Sequence, residues 1–178
     1  MTESARFPTT IFLDVDGVVA PFPGASEYWG DWFDIKNRAR LPLHVESGFS
    51  CHLSRKMGDA LKNLKAEFVW LTTWEDLANE LIAPYFGWEP LGVIRQSDVV
   101  YHTQLNYRPW WKLGAIENHV GRGGGPFIWA DDDIDSETEI TLRNCDVPHL
   151  RISPDTDVGL TPSNIEEMAE FIQRESRV

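Results

Sequence analysis

Two aspartates, Asp14 and Asp16, stand two positions apart at the end of the apolar, β-branched run over residues 9–15, immediately before Gly17. The period-two geometry of a strand directs both side chains to one side before the glycine turns the chain. One carboxylate can then attack an electrophile while the other handles protons. Attack on phosphorus gives an acyl-phosphate and divides a hydrolysis into two steps, with the second carboxyl protonating the leaving oxygen and later activating water. Alone, Asp-x-Asp-Gly is also ordinary turn chemistry.

A second acidic group, Asp131-Asp132-Asp133, follows the apolar run Phe127-Ile128-Trp129-Ala130. Asp131 and Asp132 could meet Asp14 at adjacent strand ends and form an all-oxygen site suited to Mg2+. Each carboxylate pair at about 4 Å costs roughly 1 to 4 kcal/mol across water-like to protein-surface dielectrics, which a divalent cation relieves. The competing reading is a solvated acidic turn ahead of a helix starting near Ser136. A calcium loop fits worse: the twelfth position from Asp14 or Asp131 is Ala25 or Leu142 rather than glutamate, and neither sixth position is glycine.

Two further residues could hold a phosphoryl group, although a threonine at a strand end is more often structural and a lone helical lysine is usually solvated. Thr72 ends the apolar run 68–71, where its hydroxyl and neighbouring amides can hold a phosphoryl oxygen, and Thr73 can assist. Lys112, near the start of a helix expected over 109–119, offers an ammonium to the charge on a phosphoryl group and its aspartyl adduct. Eight tryptophans in 178 residues are many, and aromatic faces can stack bases. Trp70 and Trp129 are expected in the core; Trp29, Trp32, Trp74, Trp110 and Trp111 fall near site-facing loops or helix starts, and Trp74 is a candidate substrate-binding residue.

The elements that must position these groups alternate between apolar strands and amphipathic helices. Strands are expected over 9–15, 67–71, 92–95, 127–130 and 149–152. Helices are expected over 55–65 capped by Ser54, over 74–84, over 109–119 with Pro109 at its first position, from a capping box over 136–139, and after Thr161-Pro162 with Ile165, Met168, Ala169 and Ile172 inward. This pattern predicts an α/β fold: a Rossmann-like parallel sheet with helices on both faces and right-handed crossovers. Ligands in such sheets bind beyond the carboxyl ends of the strands, and Asp14, Asp16, Thr72, Thr73, Asp131 and Asp132 all lie at or just past strand ends. Residues 18–53 lack helical periodicity and carry strand-like pieces at 41–46 and 49–53 around Ser47-Gly48, a small flap. No repeat or linker interrupts the chain, so residues 1–178 are expected to form one domain.

The motifs Ile11-Phe12-Leu13-Asp14-Val15-Asp16-Gly17, Leu71-Thr72, Lys112 and Ala130-Asp131-Asp132, in this order, resemble the haloacid dehalogenase (HAD) superfamily of phosphohydrolases. The resemblance implies a HAD-like fold with Asp14 as nucleophile and metal ligand, Asp16 as acid/base and a ligand through its carbonyl, Thr72 and Lys112 holding the phosphoryl group, Asp131 on the metal and Asp132 supporting its shell. The register is open by one residue within Asp131–Asp133 and between Thr72 and Thr73. A narrower likeness, Val69-Trp70-Leu71-Thr72-Thr73-Trp74-Glu75, Leu77-Ala78-Asn79 and Val158-Gly159-Leu160-Thr161, is to the small phosphatase domains of Swiss Army Knife RNA-repair proteins. The short span between the first two motifs leaves no room for a large cap, and an open site accepts large substrates.

The expected function is hydrolysis of a phosphomonoester, on a nucleotide or a nucleic-acid end. Alternatives are a small-metabolite phosphatase or phosphotransferase, and a non-catalytic acidic module that binds metal or protein. The net charge of -12 disfavours non-specific binding of nucleic acid or anionic lipid by this domain alone. Cys51 and Cys145, expected as buried thiols, are too few for a disulfide framework. No stretch approaches the roughly 20 apolar residues that cross a bilayer, and the N-terminus lacks a signal-like pattern, so a cytoplasmic location without membrane partners is expected. The oligomeric state is not encoded in any motif.

Overall fold

β1 (Thr10–Leu13) is buried at every residue because a strand lies on each side of it and helices cover both its faces. The computed structural model describes residues 8–21, 26–32, 38–41, 49–101 and 110–177. β1 pairs in parallel with β4 (Glu67–Trp70) on one side and β6 (Phe127–Ala130) on the other. β5 (Gly92–Val93) and β7 (His149–Ile152) extend the sheet outward, giving the order β5-β4-β1-β6-β7. Continuous apolar runs suit this arrangement, since a parallel strand between two helical layers has no face in water.

The two faces carry separate cores. Ile11 and Leu13 of β1, with Trp70, Ile128, Ala130 and Ile152, pack with Met57 and Leu61 of α1 (Arg55–Lys62) and with Ile165, Met168 and Phe171 of α5 (Pro162–Glu175). Phe12, Leu71, Phe127 and Trp129 point the other way, onto Leu113, Ala115 and Ile116 of α3 (Trp111–Gly121) and Leu142 of α4 (Ser136–Arg143). α3 is apolar around most of its circumference, so no single face of it reads as the core face.

Caps set where several helices begin. The Ser54 hydroxyl accepts from Met57 N at 3.2 Å, and Thr161 forms a capping box with Asn164 ahead of Pro162. At α4 the cap is Asp135, accepting from Thr138 N at 2.7 Å, rather than Ser136, which is already in the helix. On α5, Phe171 is buried and Ala169 exposed, the reverse of the expected weighting at that turn. The helix expected over 74–84 differs most. Its first residues form turns, residues Ala78–Ile82 form a wide π-type turn, and α2 (Ala83–Phe86) follows. Pro84 explains the widening, because its ring crowds the carbonyl four residues earlier and it has no N–H to give.

Between β1 and α1 the described residues hold a 3-10 segment (Ser26–Trp32) and an antiparallel pair, β2 (Arg38–Leu41) with β3 (Phe49–His52). This is a small flap, and no large cap is inserted among the described residues. The expected strand over 41–46 overlaps β2 only at Leu41; residues 42–48, with the Ser47-Gly48 turn, lie outside the described residues, as do Pro109 and the Cys51 side chain. Cys145 is half-buried and free. No helix among the described residues is long and apolar enough to cross a membrane.

Candidate active site

The sheet ladder continues one residue past each strand end: Asp14 N donates to Ala130 O, Leu71 N to Leu13 O and Asp131 N to Ile152 O, each at 3.0 Å. Asp14, Thr72 and Asp131 therefore emerge side by side at the carboxyl edge, with their backbones fixed by the sheet. Asp14 and Asp131 keep the inside-outside alternation of Phe12 and Trp129 and lean toward the layer that holds α3. Lys112, on the first turn of α3, meets them there.

The Lys112 ammonium donates to Asp14 Oδ2 at 2.6 Å and to Asp131 Oδ2 at 2.7 Å. All three side chains are almost completely buried. Val15 N donates to Asp14 Oδ1 at 2.7 Å, so both oxygens of that carboxylate are held and its plane is fixed. The buried Thr72 hydroxyl hydrogen-bonds Asp14 and accepts from Trp74 N at 3.3 Å. Asp131 accepts further from the Trp129 indole at 3.4 Å and from Asp133 N at 3.1 Å. The indole of half-buried Trp110 stacks on Trp129, 5.5 Å between ring centroids, and lies 5.2 Å from the Lys112 ammonium.

The electrostatics follow from burial. Asp14 is raised above the usual carboxylate range by loss of water, against the pull of Lys112 and the Thr72 and Val15 hydrogen bonds. Asp131 is pushed up to about 7 by burial and by the Asp14 charge, with Lys112 opposing. Burial works against the Lys112 charge, but the two carboxylates together more than offset it and its pKa is raised. Asp16 is raised by burial, against the Trp74 hydrogen bond and with the charges of Asp14 and Asp132 adding.

Two buried carboxylates share one ammonium, leaving the group one positive charge short. Asp132 brings a third carboxylate: oxygens of Asp14, Asp131 and Asp132 lie within 4.8 Å of one another. An all-oxygen, net-negative donor set of this size fits a hard divalent cation such as Mg2+. Asp132 is half-buried, accepts from Thr156 Oγ1 at 2.7 Å and packs directly on Gly17, where a β-carbon would collide with its carboxylate. Gly17 also has a φ of 65°, so this turn suits glycine on two counts.

Of the residues singled out in the sequence, Asp14, Thr72, Lys112, Asp131 and Asp132 are gathered in one place. Asp133 is exposed and its carboxylate does not join the cluster, and Thr73 is exposed beside buried Thr72. Asp16 is half-buried next to this group and accepts the Trp74 indole hydrogen at 2.7 Å; its carboxylate does not join the three-aspartate cluster. Trp74 is buried, its polar edge turned to Asp16. Trp29 is buried with its indole on Val158 O, and Trp70 and Trp129 are core residues.

Sequence reasoning missed Thr156 and the contact of Trp110 with Lys112. Thr156 lies beyond the carboxyl end of β7, so the strand-end rule could have found it; the Trp110 contact has no sequence signal. The turn after β1 is also tied to the far end of the chain, since Leu160 N donates to Val18 O at 2.8 Å with Gly159 pressed against the same carbonyl at a φ of 67°.

A search of curated proteins gives no match. The family described as HAD domain in Swiss Army Knife RNA repair proteins matches residues 10–165, a span that runs from β1 into α5 and includes every residue of the site.

Proposed function

This chain belongs to the family of HAD domains in Swiss Army Knife RNA repair proteins, and from that membership we propose that it is a Mg2+-dependent phosphomonoesterase working through an aspartyl-phosphate on Asp14. The observation that carries this reading is the Asp14 carboxylate at the end of the central strand, clamped by Lys112 and Val15 N with a second, separately held carboxylate, Asp16, two residues on.

In the first step an Asp14 oxygen forms a bond to phosphorus as the bond from phosphorus to the leaving oxygen breaks, and Asp16 gives its proton to that oxygen. In the second, Asp16 takes a proton from water, the water oxygen bonds to phosphorus, and the Asp14 carboxylate is released. Lys112 and Thr72 hold charge that builds on the phosphoryl oxygens in both steps. Asp14, Asp131 and the Asp16 carbonyl, with Asp132 supporting, would hold Mg2+, which would supply further positive charge to the phosphoryl group. The raised pKa of Asp16 suits a group that must begin protonated.

For substrate, we assign phosphate on a nucleotide or nucleic-acid end. The family's association with RNA repair supports it, as does the absence of a large cap among the described residues. The charge of -12 then makes the domain a poor general RNA binder that acts on termini. The test is a phosphate-release screen with Mg2+ across nucleotides, 3'- and 5'-phosphorylated oligonucleotides and sugar phosphates, with Asp14→Asn as blank. Turnover of terminal phosphates that Asp14→Asn loses is expected. Equal rates in both proteins, or label mapped to a serine, threonine or histidine after trapping with a labelled aryl phosphate, would sink the mechanism.

A further inference from the structure

Trp74 is buried, yet its one polar atom is spent on a single acceptor, Asp16 Oδ2, at 2.7 Å. The turn that presents it is unusually constrained. Trp74 N donates to Thr72 Oγ1, Glu75 N donates to Thr72 O, and Glu75 has a φ of 47°, the one positive value at a non-glycine residue among the described residues. Such a conformation persists only where neighbours enforce it. Here Glu75 Oε1 accepts from Gln96 N at 3.1 Å, and Arg95 grips both oxygens of Asp76 at 3.0 and 2.6 Å, fastening the turn to the segment after β5.

We propose that Trp74 is the positioning residue of the acid/base group, fixing which oxygen of Asp16 carries the proton. The proposal rests on the phosphatase reading above. An indole N–H can only donate. A carboxylic acid accepts best at its carbonyl oxygen, so a donor at Oδ2 makes that oxygen the acceptor and leaves the proton on Oδ1. The same bond stops the carboxyl group from rotating. Oδ1 then both gives the proton to the leaving oxygen and takes one from water, with no rearrangement between the two steps.

The test is leaving-group dependence. Trp74→Phe keeps an aromatic ring and removes the N–H. Values of kcat/KM, which cover the steps up to departure of the leaving group, are compared for 4-nitrophenyl phosphate, whose phenolate leaves without a proton, and for a 5'-phosphorylated oligonucleotide, whose alkoxide needs one. A positioned acid contributes roughly 100- to 10,000-fold. Losing its alignment should lower the oligonucleotide value by about 10- to 100-fold while the nitrophenyl value stays within about 3-fold. A similar fall on both substrates, or no fall on either, overturns the proposal while leaving the Asp14 mechanism intact. Absence of any Asp14-dependent turnover in the unmodified protein overturns both readings. A measurement independent of Trp74 variants follows the exchange of its indole proton by NMR in the unmodified protein and in Asp16→Ala. A buried hydrogen bond to a neutral carboxyl group predicts exchange about 2- to 10-fold faster without Asp16; an unchanged rate counts against the contact.

Discussion

Lys112 holds two acidic groups at once, so its removal uncovers both. Lys112→Ala should lose about 2 to 4 kcal/mol of transition-state stabilisation, read from kcat/KM. It should also lose folding stability in chelator, since breaking a buried ion pair costs about 3 to 5 kcal/mol. Lys65, exposed on the turn after α1, is the control and should change neither. Asp131 gives a pH prediction. Its carboxyl titrates near its ordinary value, 3.8, when unfolded and at about 7 when folded, so between those values the folded chain binds more protons. Stability then falls as pH rises through that window and is flat below it. Urea unfolding in chelator at pH 5 and pH 7 should show a larger drop for the unmodified protein than for Asp131→Asn. Raised Lys112 contributes at the other end of the scale, its share disappearing only above the ordinary lysine range. Mg2+ favours the ionised aspartates and should flatten the slope near neutrality.

Among the elements, α5 offers the cleanest stability test. Thr161→Ala removes a cap whose side chain accepts from Asn164 N and donates to Asn164 Oδ1, and should cost about 0.5 to 2 kcal/mol in chemical denaturation without altering turnover. That cap was legible because Thr-Pro before an apolar period is a local signal, as were β6 and β7, whose observed limits coincide with the expected ones. Asp14, Thr72 and Asp131 were legible for a related reason: a strand end is a local feature, and the sheet places all strand ends together; Lys112, on a helix, was legible only through the order and spacing of the motifs. What escaped was non-local or irregular. The bond from Trp74 to Asp16 joins residues 58 apart, and no periodicity encodes it. The π-type turn at Ala78–Ile82 breaks the 3.6-residue period on which helix reading depends, and α3 is too evenly apolar to show a face. At α4 two neighbouring residues, Asp135 and Ser136, could both cap, and only the backbone angles decide between them.

Over the whole molecule, a cation held at the acidic cluster would be coupled to the fold. A cation that binds only the folded chain at 100 times its dissociation constant adds about 2.7 kcal/mol. For a chain of this size that should raise the melting temperature by roughly 5 to 10 °C. Identical melting curves in chelator and in millimolar Mg2+, with no heat of binding, would count against a cation at Asp14, Asp131 and Asp132. The order of strands has a consequence for synthesis. β1 is made first but occupies the middle of the sheet, and its two neighbours come from residues 67–70 and 127–130. A growing chain released at residue 126 would carry Asp14, Asp16, Thr72 and Lys112 yet have no strand to close the second edge of β1 and no Asp131. The turn bearing Asp16 waits longer still, until Leu160 arrives to bond Val18. Asp14 is thus made well before the strand and the loop that complete its surroundings. Stalled chains of increasing length should stay inert toward an aryl phosphate until residue 160 has cleared the exit tunnel.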